Sequence, residues 1–233
     1  MMHKSCFTHP LRSPEVNHPC TTTRNVKRGR GLLMFSLLFT WFGLTACGMA
    51  VVWEYEHVDG GPTRVSDAWP SESLLVPAND KDTLVFFAHP KCPCTRASIG
   101  ELARVMTHCP QGLQAYVMFI KPTEFAHEAD WEKSDLWRSA AQIPGVTVGC
   151  DFGGREAQSF HAETSGYTLL YDKHGQLLFR GGITSSRGHS GDNAGRCAIV
   201  DFVMQGRANT DQTKVYGCAL GTPTEGNEPC YQP

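Results

Sequence analysis

TLVFFAHPKCPC, Thr83 to Cys94, runs directly into TRASIGELARVMTH, Thr95 to His108, and this junction decides the fold. Thr83–Ala88 is a short apolar run with β-branched and aromatic residues, the pattern of a buried strand. From Thr95 the period changes. Ile99, Leu102, Val105 and Met106 recur at spacings of three and four, which is one apolar face of a helix. Cys92-Pro93-Cys94 therefore stands at a strand-to-helix corner. The N–H groups and the dipole at a helix N-terminus favour a thiolate over a thiol, which makes such a cysteine nucleophilic near neutral pH. Pro93 fits the first helical position, where a missing N–H costs nothing. His89, three residues before Cys92, is placed to add positive charge or to shuttle a proton.

Outward from the corner the chain alternates. Leu113–Ile120 (LQAYVMFI) reads as a second buried strand, Trp131–Gln142 as a helix, Val146–Asp151 as a third strand and Gly154–Glu163 as a short helix. Tyr167–Asp172 and Gln176–Arg180 flank the turn Lys173-His174-Gly175 as a hairpin. Asn193–Met204 is the last helix. The order β-α-β-α-β-α-β-β-α implies parallel pairing early and an antiparallel hairpin late, an α/β mixed sheet flanked by helices over residues 81–206.

The chain has 233 residues, 41% hydrophobic and 19% charged, the balance of a folded protein. Residues 1–30 hold six Lys or Arg and a single acid, Glu15. Gly31–Trp53 then carries no charge, and its 23 residues reach about 34 Å as a helix, enough to cross a bilayer core. Arg24, Lys27, Arg28 and Arg30 precede it, while Glu54 and Glu56 follow. The positive-inside rule puts 1–30 in the cytoplasm and everything after Trp53 on the periplasmic or extracytoplasmic side of the cell membrane. Leu44-Thr45-Ala46-Cys47 also reads as a lipoprotein cleavage signal, and a cleaved signal peptide is a further alternative. The apolar stretch continues past Cys47 through Trp53, which favours an uncleaved single-pass anchor. Residues 54–80, rich in Gly, Pro, Ser and Asp, read as a tether, and 207–233 as a polar, cysteine-containing tail. No basic patch interleaved with aromatics points to nucleic acid.

Of ten cysteines, seven follow the apolar span: Cys92, Cys94, Cys109, Cys150, Cys197, Cys218 and Cys230. An export compartment permits disulfides. Cys109, Cys150 and Cys197 read as buried inert thiols. Cys218 pairs with Cys230 in the tail or reaches back to the Cys92 loop, and spacing does not choose between these. Residues i and i+2 of a helix point nearly opposite ways, so a Cys92–Cys94 disulfide needs a distorted first turn and is easier to reduce. Three uses follow: a catalytic dithiol, attack by one cysteine with resolution by a distant one such as Cys218, or capture of a soft metal such as Cu(I). The loop Gly181–Gly191 (GGITSSRGHSG) offers Arg187 and His189 to stabilise a thiolate or bind an anionic partner, and otherwise reads as a surface loop.

TLVFFAHPKCPC with TRASIGELARVM, and the later VGCDFGGREAQSFHAETSGYTLLYDKHGQLLFRGG, resemble the thioredoxin-like superfamily over roughly Thr83–Gly206. HPKCPCTRAS, GGITSSRGHSGDNAG and the preceding apolar span resemble, more narrowly, RedB-type membrane proteins. The resemblance implies a thioredoxin-like fold and thiol–disulfide exchange with exported or membrane proteins, through Cys92 and Cys94 with His89 tuning the pair. Two features depart from the family. One residue, not two, separates the cysteines. Gly166 stands where the family has a cis-proline that shapes a peptide groove and discourages metal binding. Both argue against a general disulfide reductase and keep a Cu(I) chaperone or a redox- or metal-sensing membrane protein as the alternative.

Overall fold

The computed structural model describes residues 24–58, 60 and 67–221, with side chains from Arg30 onward. Cys6, Cys20 and Cys230, and with them the Cys218–Cys230 pairing, lie outside the described residues, as does most of the segment expected in the cytoplasm. The chain divides into two compact units after Val51.

Helix α1 (Arg24–His57) contains the expected apolar run. Its stretch Arg30–His57, 28 residues, is long and apolar enough to span a membrane. Leu33, Phe35, Phe39, Phe42 and Leu44 are all exposed along it.

The second unit is built on a five-stranded sheet: β1 (Asp82–Ala88), β2 (Leu113–Lys121), β3 (Val146–Phe152), β4 (Thr168–Tyr171) and β5 (Leu177–Gly181). Their spatial order is β3-β2-β1-β4-β5. β1 pairs in parallel with β2, Phe86 opposite Val117, and antiparallel with β4, Phe86 opposite Thr168. β3 continues the parallel half and β5 the antiparallel half. This is the expected thioredoxin-like mixed sheet. β1 is central because both its faces are apolar. Leu84, Phe86 and Ala88 enter one core, with α2 (Thr95–His108) and α5 (Ala194–Gln205). Val85 and Phe87 enter the other, with Phe160, Tyr171, Val215 and Leu220. Burying each large side chain contributes about 1.5–3 kcal/mol.

Two helices are shorter than the sequence suggests. α3 covers Asp135–Ala141, not Trp131–Gln142, because Ser134 takes the cap and its side chain accepts from Trp137 N–H. Asp130 turns the chain before it with a positive φ of 61°. α4 covers Arg155–Ser159 and stops before His161, whose φ is 52°. Its first turn is held by the Asp151 carboxylate, which accepts from the N–H groups of Glu156 (3.0 Å) and Ala157 (2.9 Å).

The flanking segments differ most from expectation. Residues 67–78, expected within the tether, lie on the domain. Trp69 N–H donates to Gly175 O (2.8 Å) and its ring packs edge-on to Phe160 and Tyr171. The buried Glu156 carboxylate accepts from the Ser73 hydroxyl (2.6 Å) and Leu74 N–H (2.8 Å). At the other end, 211–220 also returns to the domain, burying Val215 and Leu220. Trp69 and Leu75 pack against the second core from the one segment, and Val215 and Leu220 are buried in it from the other.

Candidate functional site: three thiols at the β1–α2 corner

The corner is a turn, not yet helix. Cys92 N–H donates to His89 O (3.1 Å), Thr95 N–H to Cys92 O (3.2 Å) and Ala97 N–H to Cys94 O (3.2 Å). Cys94 is the cap of α2 and the helix begins at Thr95, so Pro93 precedes the cap rather than occupying the first helical position. That placement lets the two sulfurs approach despite their one-residue spacing, which a regular helix would not allow. Cys92 and Cys94 pack together, and Cys218 completes the cluster. Cys92 is 1% exposed, Cys94 and Cys218 9% each. All three carry thiols, not disulfides.

Cys218 arrives on the returning tail, which pairs with the segment before β4. Ser165 N–H donates to Cys218 O (2.7 Å) and Leu220 N–H to Glu163 O (2.8 Å), with Thr164 and Ala219 bridged antiparallel. The approach is close. A Cβ on Gly217 would sit 1.9 Å from Ser165 O, so only glycine fits there. Gly166, at φ 95°, donates its N–H to Phe87 O (2.8 Å) and so fixes this segment to the end of β1. No peptide bond among the described residues is cis.

Hydrogen bonds donated by the Cys218 thiol and the Cys94 thiol, and then by the Thr95 hydroxyl and Cys218 N–H, hold the Cys92 thiol far below its ordinary value. Burial opposes this but does not prevail, because every donor faces one sulfur. Thr95 is supported in turn. Its hydroxyl lies 2.7 Å from Ser165 Oγ, which accepts His89 N–H (2.8 Å). Cys94 is the mirror case. Giving its S–H to Cys92 pushes its thiol well above the ordinary value, with burial and the Cys92 charge adding to it. Arg187 pulls the other way, through its charge and a hydrogen bond to Cys94.

His89 is half-buried, and burial pushes its imidazole below the usual histidine value despite the nearby Cys92 charge. Its Nδ1 accepts from Lys91 N–H (3.2 Å), the arrangement of a neutral ring with the proton on Nε2. Its ring stands edge-on to Trp131, which stacks on Phe125 under the Lys91 ammonium. Of the two uses expected of His89, positive charge and proton transfer, burial thus disfavours the first.

Of the glycine-rich loop, Arg187 reaches the site and donates Nη1–H to Gly217 O (2.8 Å), whereas His189 is exposed. The loop is tied to α2 by Glu101. This fully buried carboxylate accepts from Arg104 (2.7 Å), Arg196 (2.7 Å), Gly191 N–H (2.9 Å) and Asn193 (3.4 Å). Glu101 lies on the polar side of a predicted amphipathic helix, and nothing in the sequence pattern marks it as the loop's anchor. Cys109 is buried as expected. Cys150 and Cys197 are not: each is exposed, Cys150 because β3 is an edge strand and Cys197 because it lies on the outer side of α5. Among the described residues no group of three or more His, Cys, Asp or Glu has the arrangement of a metal site.

The strand order β3-β2-β1-β4-β5 and the helices flanking it define a thioredoxin-like fold. Solved structures with the same architecture include a hypothetical protein from Sinorhizobium meliloti 1021, 20% identical, with a TM-score of 0.53 over 70% of this chain and 100% of that one. An uncharacterized conserved protein from Geobacillus kaustophilus is 16% identical, with a TM-score of 0.51 over 73% of this chain and 94% of the other. The exposed lipoprotein thioredoxin Etrx1 from Streptococcus pneumoniae is a more distant likeness, 16% identical with a TM-score of 0.39 over 54% of this chain and 84% of that one. No family model matches the sequence, and no curated protein matches it significantly.

Proposed function

We propose that the chain is a membrane-anchored thiol–disulfide exchange protein whose thioredoxin-like domain works on the extracytoplasmic side. The observation that carries this reading is the set of donors converging on Cys92 Sγ, which favours a thiolate at the helix corner. The Cys92 thiolate attacks a disulfide of an exported or membrane protein, forming a Cys92–partner disulfide and releasing the partner's other sulfur as a thiolate. Cys94 then gives up its proton and attacks Cys92. The partner leaves as a dithiol, reduced by two electrons, and Cys92–Cys94 is left oxidised; the reverse sequence oxidises a partner. Neutral His89 is suited to take that proton at Nδ1, once Nδ1 parts from Lys91 N–H, and to release the one held on Nε2. Arg187 beside Cys94 supports the thiolate that forms there. Residues 30–57 supply the anchor, and the basic residues before them support the stated orientation. HPKCPCTRAS and the loop carrying Arg187 are the stretches behind the RedB-type resemblance.

A trapped mixed disulfide in Cys94→Ser tests the reading. Cys92→Ser should abolish disulfide exchange with insulin, and unchanged exchange would refute it. The Cu(I) alternative predicts tight anaerobic Cu(I) binding that is lost in the Cys92→Ser/Cys94→Ser double variant.

A further inference from the structure

Thiol exchange at Cys92 needs a path for a second sulfur, and the structure blocks that path from solvent while offering a sulfur from within. Cys92 is 1% exposed, and the segment that covers the thiols carries Cys218. That segment is not loosely draped. It pairs main chain to main chain with 163–165, fits through the Cβ-free Gly217, anchors Val215 and Leu220 in the core and is held at Gly217 O by Arg187.

We infer that residues 211–220 form a strap that seats Cys218 as a second resolving thiol for Cys92 and closes the corner to bulky partners until the strap shifts. The inference rests on the thiol-exchange reading above. A mixed disulfide at Cys92 is attacked by the Cys218 thiolate, giving Cys92–S–S–Cys218 and releasing the partner as a thiolate that takes the proton Cys218 gave up. An oxidised Cys92–Cys94 pair is opened in the same way. The Cys218–Cys92 bond forms, the Cys92–Cys94 bond breaks, no electron is gained or lost, and the charge comes to rest on Cys94 beside Arg187. Because Cys218 is already in contact with Cys92, its attack is intramolecular and outpaces a thiol in solution. Relief of a one-residue-spaced disulfide favours the same direction.

The experiment uses the full-length chain in detergent micelles, with Cys230→Ser so that the tryptic peptide 215–233 carries a single cysteine. Protein with Cys94→Ser added is treated with glutathione disulfide, quenched in acid, alkylated and digested. The expected product is peptide 92–96 linked to peptide 215–233, with Cys92–glutathione adduct about tenfold lower than in the variant that also carries Cys218→Ser. Accumulated Cys92–glutathione with Cys218 alkylated overturns the inference and leaves thiol exchange standing. If Cys92 takes no glutathione even when Cys94 and Cys218 are both serine, the thiol-exchange reading fails and this inference with it. Gly217→Ala tests the strap by itself. Cys92 should react about tenfold faster with a bulky maleimide and link less to Cys218, and an unchanged rate would refute closure.

Discussion

The corner at 89–95 and the strap at 211–220 meet at one sulfur, yet they are built in opposite ways. The corner is local. Its strand, turn and helix follow one another directly from Asp82 to His108, and its two cysteines stand one residue apart. The strap reaches the same place across a separation of more than a hundred residues, with no helix or strand of its own, through main-chain bonds to 163–165 and two buried apolar side chains. The corner supplies the sulfur and two of its donors, Cys94 and Thr95, whereas the strap supplies the strongest donor, the Cys218 thiol, and packs beside that sulfur.

The comparison breaks most visibly at Cys92. Cys92→Ser should lower insulin disulfide reduction by at least about a hundredfold, whereas Cys150→Ser, on the exposed edge strand, should leave it unchanged. The scaffold of the corner comes next. Phe86→Ala, in the middle of β1 and fully buried, should cost about 3–5 kcal/mol in a denaturant titration of the domain's unfolding. Leu220→Ala, at the end of the strap, should cost about 2 kcal/mol, with Cys92 becoming more accessible to alkylation. An equal loss for both, without a change in accessibility, would make the strap merely another piece of core.

The pH dependence sharpens the division between the two corner thiols. Cys92 is held below the ordinary thiol value near 8.5, so its iodoacetamide rate, limited by burial, should change little as pH falls from 8.5 to 6, where a free cysteine loses reactivity. Cys94 is pushed up, so it should remain unreactive at pH 9. His89 carries the smallest effect. Its value is lowered in the folded protein, so as pH falls the unfolded chain takes the proton first. Stability present above about pH 6.5 should decline below it, and His89→Asn should flatten that slope in unfolding titrations at pH 7.5 and 5.5.

The sheet was legible because its strands are local and strongly apolar. TLVFFA and LQAYVMFI each read as a strand in isolation, and the corner reads as reactive from residue types and spacing alone. The start of α3 was not legible, because Trp131 and Glu132 continue a helical pattern that Asp130 and Ser134 override through turn and capping geometry. The docking of Trp69 and Leu220 was not legible either. A few anchors in an irregular segment leave no period, and their partners lie elsewhere in the chain. Cys218 could be named as a candidate but not placed, since spacing is silent about contacts made by a strap.

Glu101 has one more consequence. Its carboxylate holds the N–H of Gly191, a group in a loop without regular structure, from the middle of α2. An amide in such a loop would ordinarily trade its hydrogen with water within moments, yet this one is released only when Glu101 lets go. In a deuterium-exchange experiment Gly191 should therefore keep time with the helix that Cys94 caps, and report on every opening of that helix.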